Sequence, residues 1–369
     1  MLAVVTSLAD SGTGSLRDAI IQTNASPTDN VIQFNLSGTG AQVIPLLSEL
    51  PTITDMLFID GIGQNVVLNG AATTGGAAGL RVVTSNCDIR GLTIINFPGN
   101  GIEIVNGTNT IVRGNFLGIN PFTDTAAPNG GAGVLVTGDT QGITIGGAAD
   151  ADRNVISGNA GPGVLLQGIV SFQSVVDNNF IGVGLTGTSN VPNGGGGLVI
   201  DGSSGNLIGL IRGNVISGNT GAGVTIQSFA NGNTLENNFI GTDPTGSFEQ
   251  PNTGDGVAII DATNNNIGRG RGSRNVIAGN LGHGVSVTGT GSFGNPISGN
   301  NIGTNFNGDQ GIGNGRSGIF IFESPTPVIG GTNPDVSNLI STNVEDGIHL
   351  QNVSGATFQD NFNGVNDSV

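Results

Sequence analysis

The chain contains no lysine, no tryptophan and no tyrosine, and one cysteine in 369 residues. Each absence closes a class of function. With Cys87 alone, neither an intrachain disulfide nor a cysteine-based metal cluster forms. Ten arginines stand against 26 acidic residues, a formal charge of −16. The basic stripe that tracks a phosphate backbone is therefore missing, and nucleic acid is excluded as a partner. No apolar run approaches the roughly 18 residues of a spanning helix, and no polybasic or amphipathic segment offers membrane insertion. Residues 1–5 are too short, and lack the basic start, for a signal peptide. The missing tryptophan and tyrosine count against a sugar enzyme, since flat amphipathic rings are the usual platform for sugars; phenylalanine stacks but has no polar handle. Only 10% of residues are charged, yet hydrophobic content is 36%. That is enough for a core and argues against disorder.

Glycine is what the chain has in excess. It numbers 67 residues, more than double the usual share of about 7%. It has no strict three-residue period, so collagen is excluded. The pattern Gly-[Val/Ile/Leu]-x-[Val/Ile/Leu] begins at Gly101 and recurs at Gly133, Gly163, Gly197, Gly223, Gly256, Gly284, Gly318 and Gly347. Between these glycines fall Asn154-Val155-Ile156, Asn214-Val215-Ile216, Asn275-Val276-Ile277 and Asn338-Leu339-Ile340. On alternate units the partner reads Asn115-Phe116-Leu117, Asn179-Phe180-Ile181 and Asn238-Phe239-Ile240, with looser copies at Asn300 and Asn361.

Self-similarity at about 30 residues, doubled to about 60, marks a stacked repeat. No helical period separates the strands, so crossover helices are missing and an ordinary α/β sheet fails. A β-sandwich would give antiparallel strands without copies in register. The expected fold is all-β, a right-handed parallel β-helix of about 11–12 coils, each strand lying on its copy one coil below at about 4.8 Å. The asparagines are expected in the turns, their amides bonding to the next coil so that no buried polar group is orphaned. Ser15 to Gln22 has apolar residues at 16, 19 and 20 behind a serine N-cap, which predicts a short amphipathic helix. On a solenoid such a helix covers the first coil. The expected division is residues 1–30 as N-terminal strand and capping helix, and 31–369 as one continuous β-helix. Residues 365–369 offer no comparable cap.

Two stretches carry a family resemblance. "VTSLADSGTGSLRDAI", followed by "VIQFNLSG" and "LPTIT", resembles the N-terminal segment of bacterial surface proteins named for a Cys-Ser-Leu-Arg-Glu-Ala run. Here that run reads Gly14-Ser15-Leu16-Arg17-Asp18-Ala19, without the cysteine. "NFIGTDPTG" and "NVISGNTGAGV" resemble the right-handed β-helix repeats of large secreted and surface-attached bacterial proteins. The wider superfamily holds pectate-lyase-like enzymes and periplasmic copper-loading proteins. The resemblance implies the β-helix fold and an extracellular or cell-surface setting. It leaves activity open, because lyases, hydrolases, epimerases, adhesins and inert spacers share the fold.

Stacking places equivalent positions in one column. The residue before each repeat glycine puts Asp255 and His283 on adjacent coils, with Arg316 and Asp346 beyond. If the chain is an enzyme, Asp255, His283 and Asp346 are its acid/base candidates. Against this, Asp255 and Asp346 are three coils apart, roughly 14 Å, beyond the 5–9.5 Å or so of glycosidase carboxylates. His349 reads as an outward strand residue. Asp150 and Asp152 beside Arg153 come from one turn and read as a solvated loop, too few oxygens for Ca²⁺. No metal site and no cofactor is expected, Ca²⁺ being the one ion worth weighing for a lyase. The outward row of the glycine repeat includes Leu135, Leu165, Val199 and Phe320. The long loops 119–131, 183–195, 242–254 and 304–315 recur on every second coil. They either fold over that row or leave it as an apolar patch for a partner.

The sequence thus favours an extracellular structural or adhesive rod that presents loops, partnered by its own copies or by a surface polysaccharide. The alternative is a polysaccharide lyase or glycoside hydrolase working along the Asp255/His283/Asp346 column.

Overall fold

The computed structural model describes residues 1–27, 30–168 and 172–364. Short β-branched runs flanked by turn formers fold into strands of two to five residues, and the chain winds through three stacked sheets. Sheet 1 starts with Leu2–Val5 and Asn30–Phe34 and runs to Asn266–Ile267. Parallel bridges through Ile297 carry it on to Val328–Gly330 and Thr357–Gln359. Sheet 2 stacks twelve strands from Gln42–Pro45 to Phe362–Asn363, and sheet 3 stacks ten from Leu80–Val82 to Ile348–Gln351. The strands of successive coils pair in parallel throughout. This is a right-handed parallel β-helix of about 12 coils, the architecture that the repeat predicts.

Like stacks on like in the interior. In sheet 2 the inward column is Leu117, Ile156, Ile181, Ile216, Ile240, Ile277, Ile302 and Ile340, all essentially inaccessible to solvent. In sheet 3 the first and third residues of each strand point inward, as with Val164 and Leu166, and the second and fourth point out. One apolar core fills the whole length of the coil.

At the N-terminal end α1 (Leu16–Asn24) is capped by Ser15, whose Oγ accepts from the Asp18 N–H at 3.2 Å. Its Leu16, Ala19 and Ile20 join the same core as Ile32 and Ile44. The expected cap is therefore present. The reading of residues 365–369 lies outside the described residues.

The asparagines bond from coil to coil as expected, and those of the first ladder are buried up to Asn338. Asn115, Asn154, Asn179, Asn214, Asn238, Asn275, Asn300, Asn338 and Asn361 form one ladder, each Nδ2 donating to the next Oδ1 at 2.9–3.1 Å. The second Nδ2 hydrogen goes to a carbonyl of an earlier coil, as from Asn214 to Val176 O at 2.8 Å. The Oδ1 also takes the backbone N–H of the preceding ladder residue, as from Asn179 at 3.0 Å. Asn154, Asn214, Asn238, Asn275 and Asn338 thus make all four of their amide hydrogen bonds. A second ladder, Asn129, Asn159, Asn193, Asn219, Asn252, Asn280, Asn314 and Asn343, repeats the arrangement where sheet 2 hands over to sheet 3. A shorter third one links Asn206, Asn233, Asn265 and Asn295.

The long loops do not cover the outward row of sheet 3. They leave the ends of sheet 2 strands and fold back over the outer face of sheet 2. There Ile119, Val183 and Val191 pack with Val155, Phe180 and Val215, and Ile312 packs with Val276. The loops are also bonded to one another. Asp124 accepts the Leu185 N–H at 2.9 Å and the Ser189 hydroxyl at 3.0 Å. Gln250 Nε2 donates to Thr188 O at 2.7 Å, and the Phe306 N–H donates to Gly246 O at 3.0 Å. The two-coil period of the sequence is the period of this stitched shelf.

Candidate functional site

With sheet 2 roofed over, the outer face of sheet 3 is left open. Its outward row runs in register through Leu135, Leu165, Val199, Thr225, Ala258, Ser286, Phe320 and His349. Leu135, Leu165 and Val199 are half-buried and form an apolar strip. At its N-terminal end Arg81 meets Glu103 at 3.6 Å. Toward the C-terminal end the row turns polar and aromatic.

The three acid/base candidates separate into an inner and an outer group. Asp255 does not touch the His283 ring. Its Oδ1 accepts the His283 backbone N–H at 2.7 Å, and its Oδ2 accepts the Ser286 hydroxyl at 2.6 Å. His283 is 4% exposed, and its Nδ1 accepts the Ser317 N–H at 3.2 Å. A ring that accepts at Nδ1 is neutral and carries its proton on Nε2; among the described residues that buried nitrogen has no hydrogen-bond partner. The ring lies flat against Phe320, centroids 4.6 Å apart and planes 9° from parallel. Burial lowers its pKa below the ordinary histidine value.

That shift has a consequence for stability. The unfolded chain takes up a proton at His283 as pH falls through about 6.5, and the folded chain resists it. Stability from this residue is full above that pH and is lost progressively below it. The urea midpoint is expected to fall as pH drops from about 7 toward 5, and His283→Phe, which keeps the stack, should flatten that slope. An unchanged slope in the variant would assign the effect elsewhere.

Asp346 forms the outer group with His349, a pairing absent from the expected set. Asp346 Oδ2 lies 2.7 Å from His349 Nδ1, with the two side chains 61% and 43% exposed. The bend at Gly347 brings the residue before the glycine and the outward residue of the strand to the same side. Phe320 lies 5.5 Å from the His349 ring at 41°, and Phe322 stacks beside Phe320 at 6.5 Å. Arg316 is half-exposed, 3.4 Å from Glu345. A carboxylate on Nδ1 fixes the tautomer and leaves Nε2 as an acceptor facing solvent, the arrangement of a general base. Asp150 is exposed, as the loop reading expects, but Asp152 departs from it: its side chain is 18% exposed and pairs with Arg113 of another coil at 3.0 Å. Among the described residues, no three His, Cys, Asp or Glu side chains converge on a metal site, and no helix is long and apolar enough to cross a membrane.

No family model and no curated protein sequence matches the chain. Solved structures do. The A-module of the mannuronan C-5 epimerase AlgE4 from Azotobacter vinelandii superposes with a TM-score of 0.55 at 16% identity, covering 97% of each chain. The Dettilon tailspike protein gives 0.55 at 14%, over 95% of this chain and 68% of its own. The chain has the right-handed parallel β-helix fold. A mutant of the periplasmic alginate epimerase AlgG gives 0.51 at 14% identity, over 89% of this β-helix and 76% of that chain. Identities this low speak to the fold, and the site has to be argued from its own residues.

Proposed function

We propose that this β-helix acts on a polysaccharide outside the cytoplasm, holding it along the outer face of sheet 3. His349 is the general base, oriented by Asp346, and Phe320 and Phe322 are the seat for a sugar ring. The observation that carries this reading is the solvent-facing Asp346–His349 pair beside an aromatic stack on the open face. An imidazole base suits proton abstraction better than hydrolysis, which uses two facing carboxylates. The reaction is β-elimination. His349 Nε2 takes the proton α to a uronate carboxylate, the C4–O bond breaks, a C4–C5 double bond forms, and the departing oxygen is protonated by water. Arg316, close enough to act electrostatically on the His283 ring, is the cation available to the substrate carboxylate. The periplasmic and tailspike settings of the structural neighbours support a location outside the cytoplasm.

The structural rod keeps one observation in its favour: the long loops are bonded into a shelf and are not free to mould around a partner. The two readings part in a single assay, the ultraviolet absorbance of unsaturated ends released from acidic polysaccharides. Loss of a positioned base costs about 10²- to 10⁴-fold in rate, and that drop is expected for His349→Ala. Asp346→Asn should lose less in rate and shift the pH profile. No release by the wild type, or full activity in His349→Ala, leaves the rod as the function.

A further inference from the structure

A cleft of about 180 Å³ opens at the corner between sheets 1 and 2, and no sheet 3 residue lines it. Two guanidinium side chains, Arg212 and Arg274, line it with the Asn237 amide and the rings of Phe239 and Phe306. Among the described residues no carboxylate does. That composition stands out in a chain of charge −16 with only ten arginines.

The cleft is built. Asp177 accepts the backbone N–H groups of Ile211, Arg212 and Gly213 at 2.9–3.3 Å and so fixes the turn that carries Arg212. Arg212 Nε donates to Ala148 O at 3.0 Å, and Asp150 reaches its Nη1 only at 3.7 Å, from outside the lining. Arg274 Nη1 donates to Asn301 Oδ1 at 3.0 Å. Phe306 is 49% exposed, 5.9 Å from Phe239, on a backbone pinned to Gly246.

We propose that this cleft binds one uronate unit of an acidic polysaccharide, apart from the reactive face. Its carboxylate lies between Arg212 and Arg274, the residues suited to charge-assisted recognition, and the apolar C–H face of the ring rests on Phe306. A bare inorganic anion would leave the aromatic wall unused, and a neutral sugar would leave the guanidiniums unused. The space is below the roughly 300 Å³ of a drug-sized pocket, so one ring enters and the rest of the chain lies outside. Such a hold answers the repulsion between an acidic rod and an acidic polymer. The inference rests on the polysaccharide reading for its ligand class, but not on catalysis at His349.

The test is calorimetric titration with a uronate hexasaccharide and with its carboxyl-reduced, neutral counterpart, at two salt concentrations. The uronate should bind at least about ten-fold tighter than the neutral form. Arg212→Gln, at an exposed side chain, should remove about ten-fold and reduce the salt dependence. Phe306→Ala should weaken both ligands, and His349→Ala should retain the cleft's binding. Equal binding of the two ligands, or no effect of Arg212→Gln, overturns the cleft. Intact cleft binding with no unsaturated ends released removes the proposed chemistry and keeps the cleft.

Discussion

Asn214→Leu is expected to destabilise the chain by about 4 kcal/mol, although it adds apolar volume to a buried site. Four hydrogen bonds disappear, at about 1 kcal/mol each. Asn214 Nδ2 no longer serves Val176 O or Asn238 Oδ1, and its Oδ1 no longer accepts from the backbone N–H and side chain of Asn179. The Asn179 N–H is then buried with no partner at all, the costliest of the four. The lesion sits mid-ladder, and a solenoid is held by nearest-neighbour contacts. Unfolding followed by far-ultraviolet circular dichroism should therefore split into two steps around it. Asn361→Leu, at the half-buried end of the same ladder, should cost about 1 kcal/mol. Asn214→Asp adds a pH test. Its ionised carboxylate opposes two acceptors, so the damage should grow as pH rises through about 4. Equal costs at Asn214 and Asn361 would mean that the ladder does not hold the stack together.

These ladders also show what a sequence reader sees and misses. The first was legible, because its asparagines from Asn115 to Asn275, and Asn338, directly precede an apolar pair. The second was equally regular: its members stand four residues before each repeat glycine from Gly133 to Gly347. It was hidden among the turn formers, where asparagine is expected for another reason. The loop seat was not legible, because strand alternation tells which residues face out but not which sheet a loop leans over. Phe116, Phe180 and Phe239 were the clue, since they occur on the loop-bearing coils and present their rings outward under the shelf. The Asp255–His283 pair was right in column and wrong in chemistry. Stacking brought the two backbones together, and Asp255 bonded to an N–H instead of the ring. Asp346 and His349 lie three residues apart, and column alignment looks only between coils.

Gly213→Ala is the second large effect, and it acts on the ladder from outside. Gly213 sits at φ +75°, and a Cβ there would overlap the carbonyl oxygen of Asn237 one coil on. The left-handed backbone alone costs a non-glycine residue about 1–2 kcal/mol. Relief of the overlap requires the two coils to part, which stretches the 2.9 Å bond from Asn214 to Asn238 next door. A total of about 3–5 kcal/mol is expected, at the upper end for single substitutions. Gly63→Ala separates the two causes, since Gly63 has φ +76° and open space around its Cβ position. It should cost only the conformational part. Because Gly213 and Asn214 strain the same pair of coils, the double variant Gly213→Ala/Asn214→Leu should lose less than the sum of the singles. Strict additivity would place the glycine's cost in its own turn and sever it from the ladder.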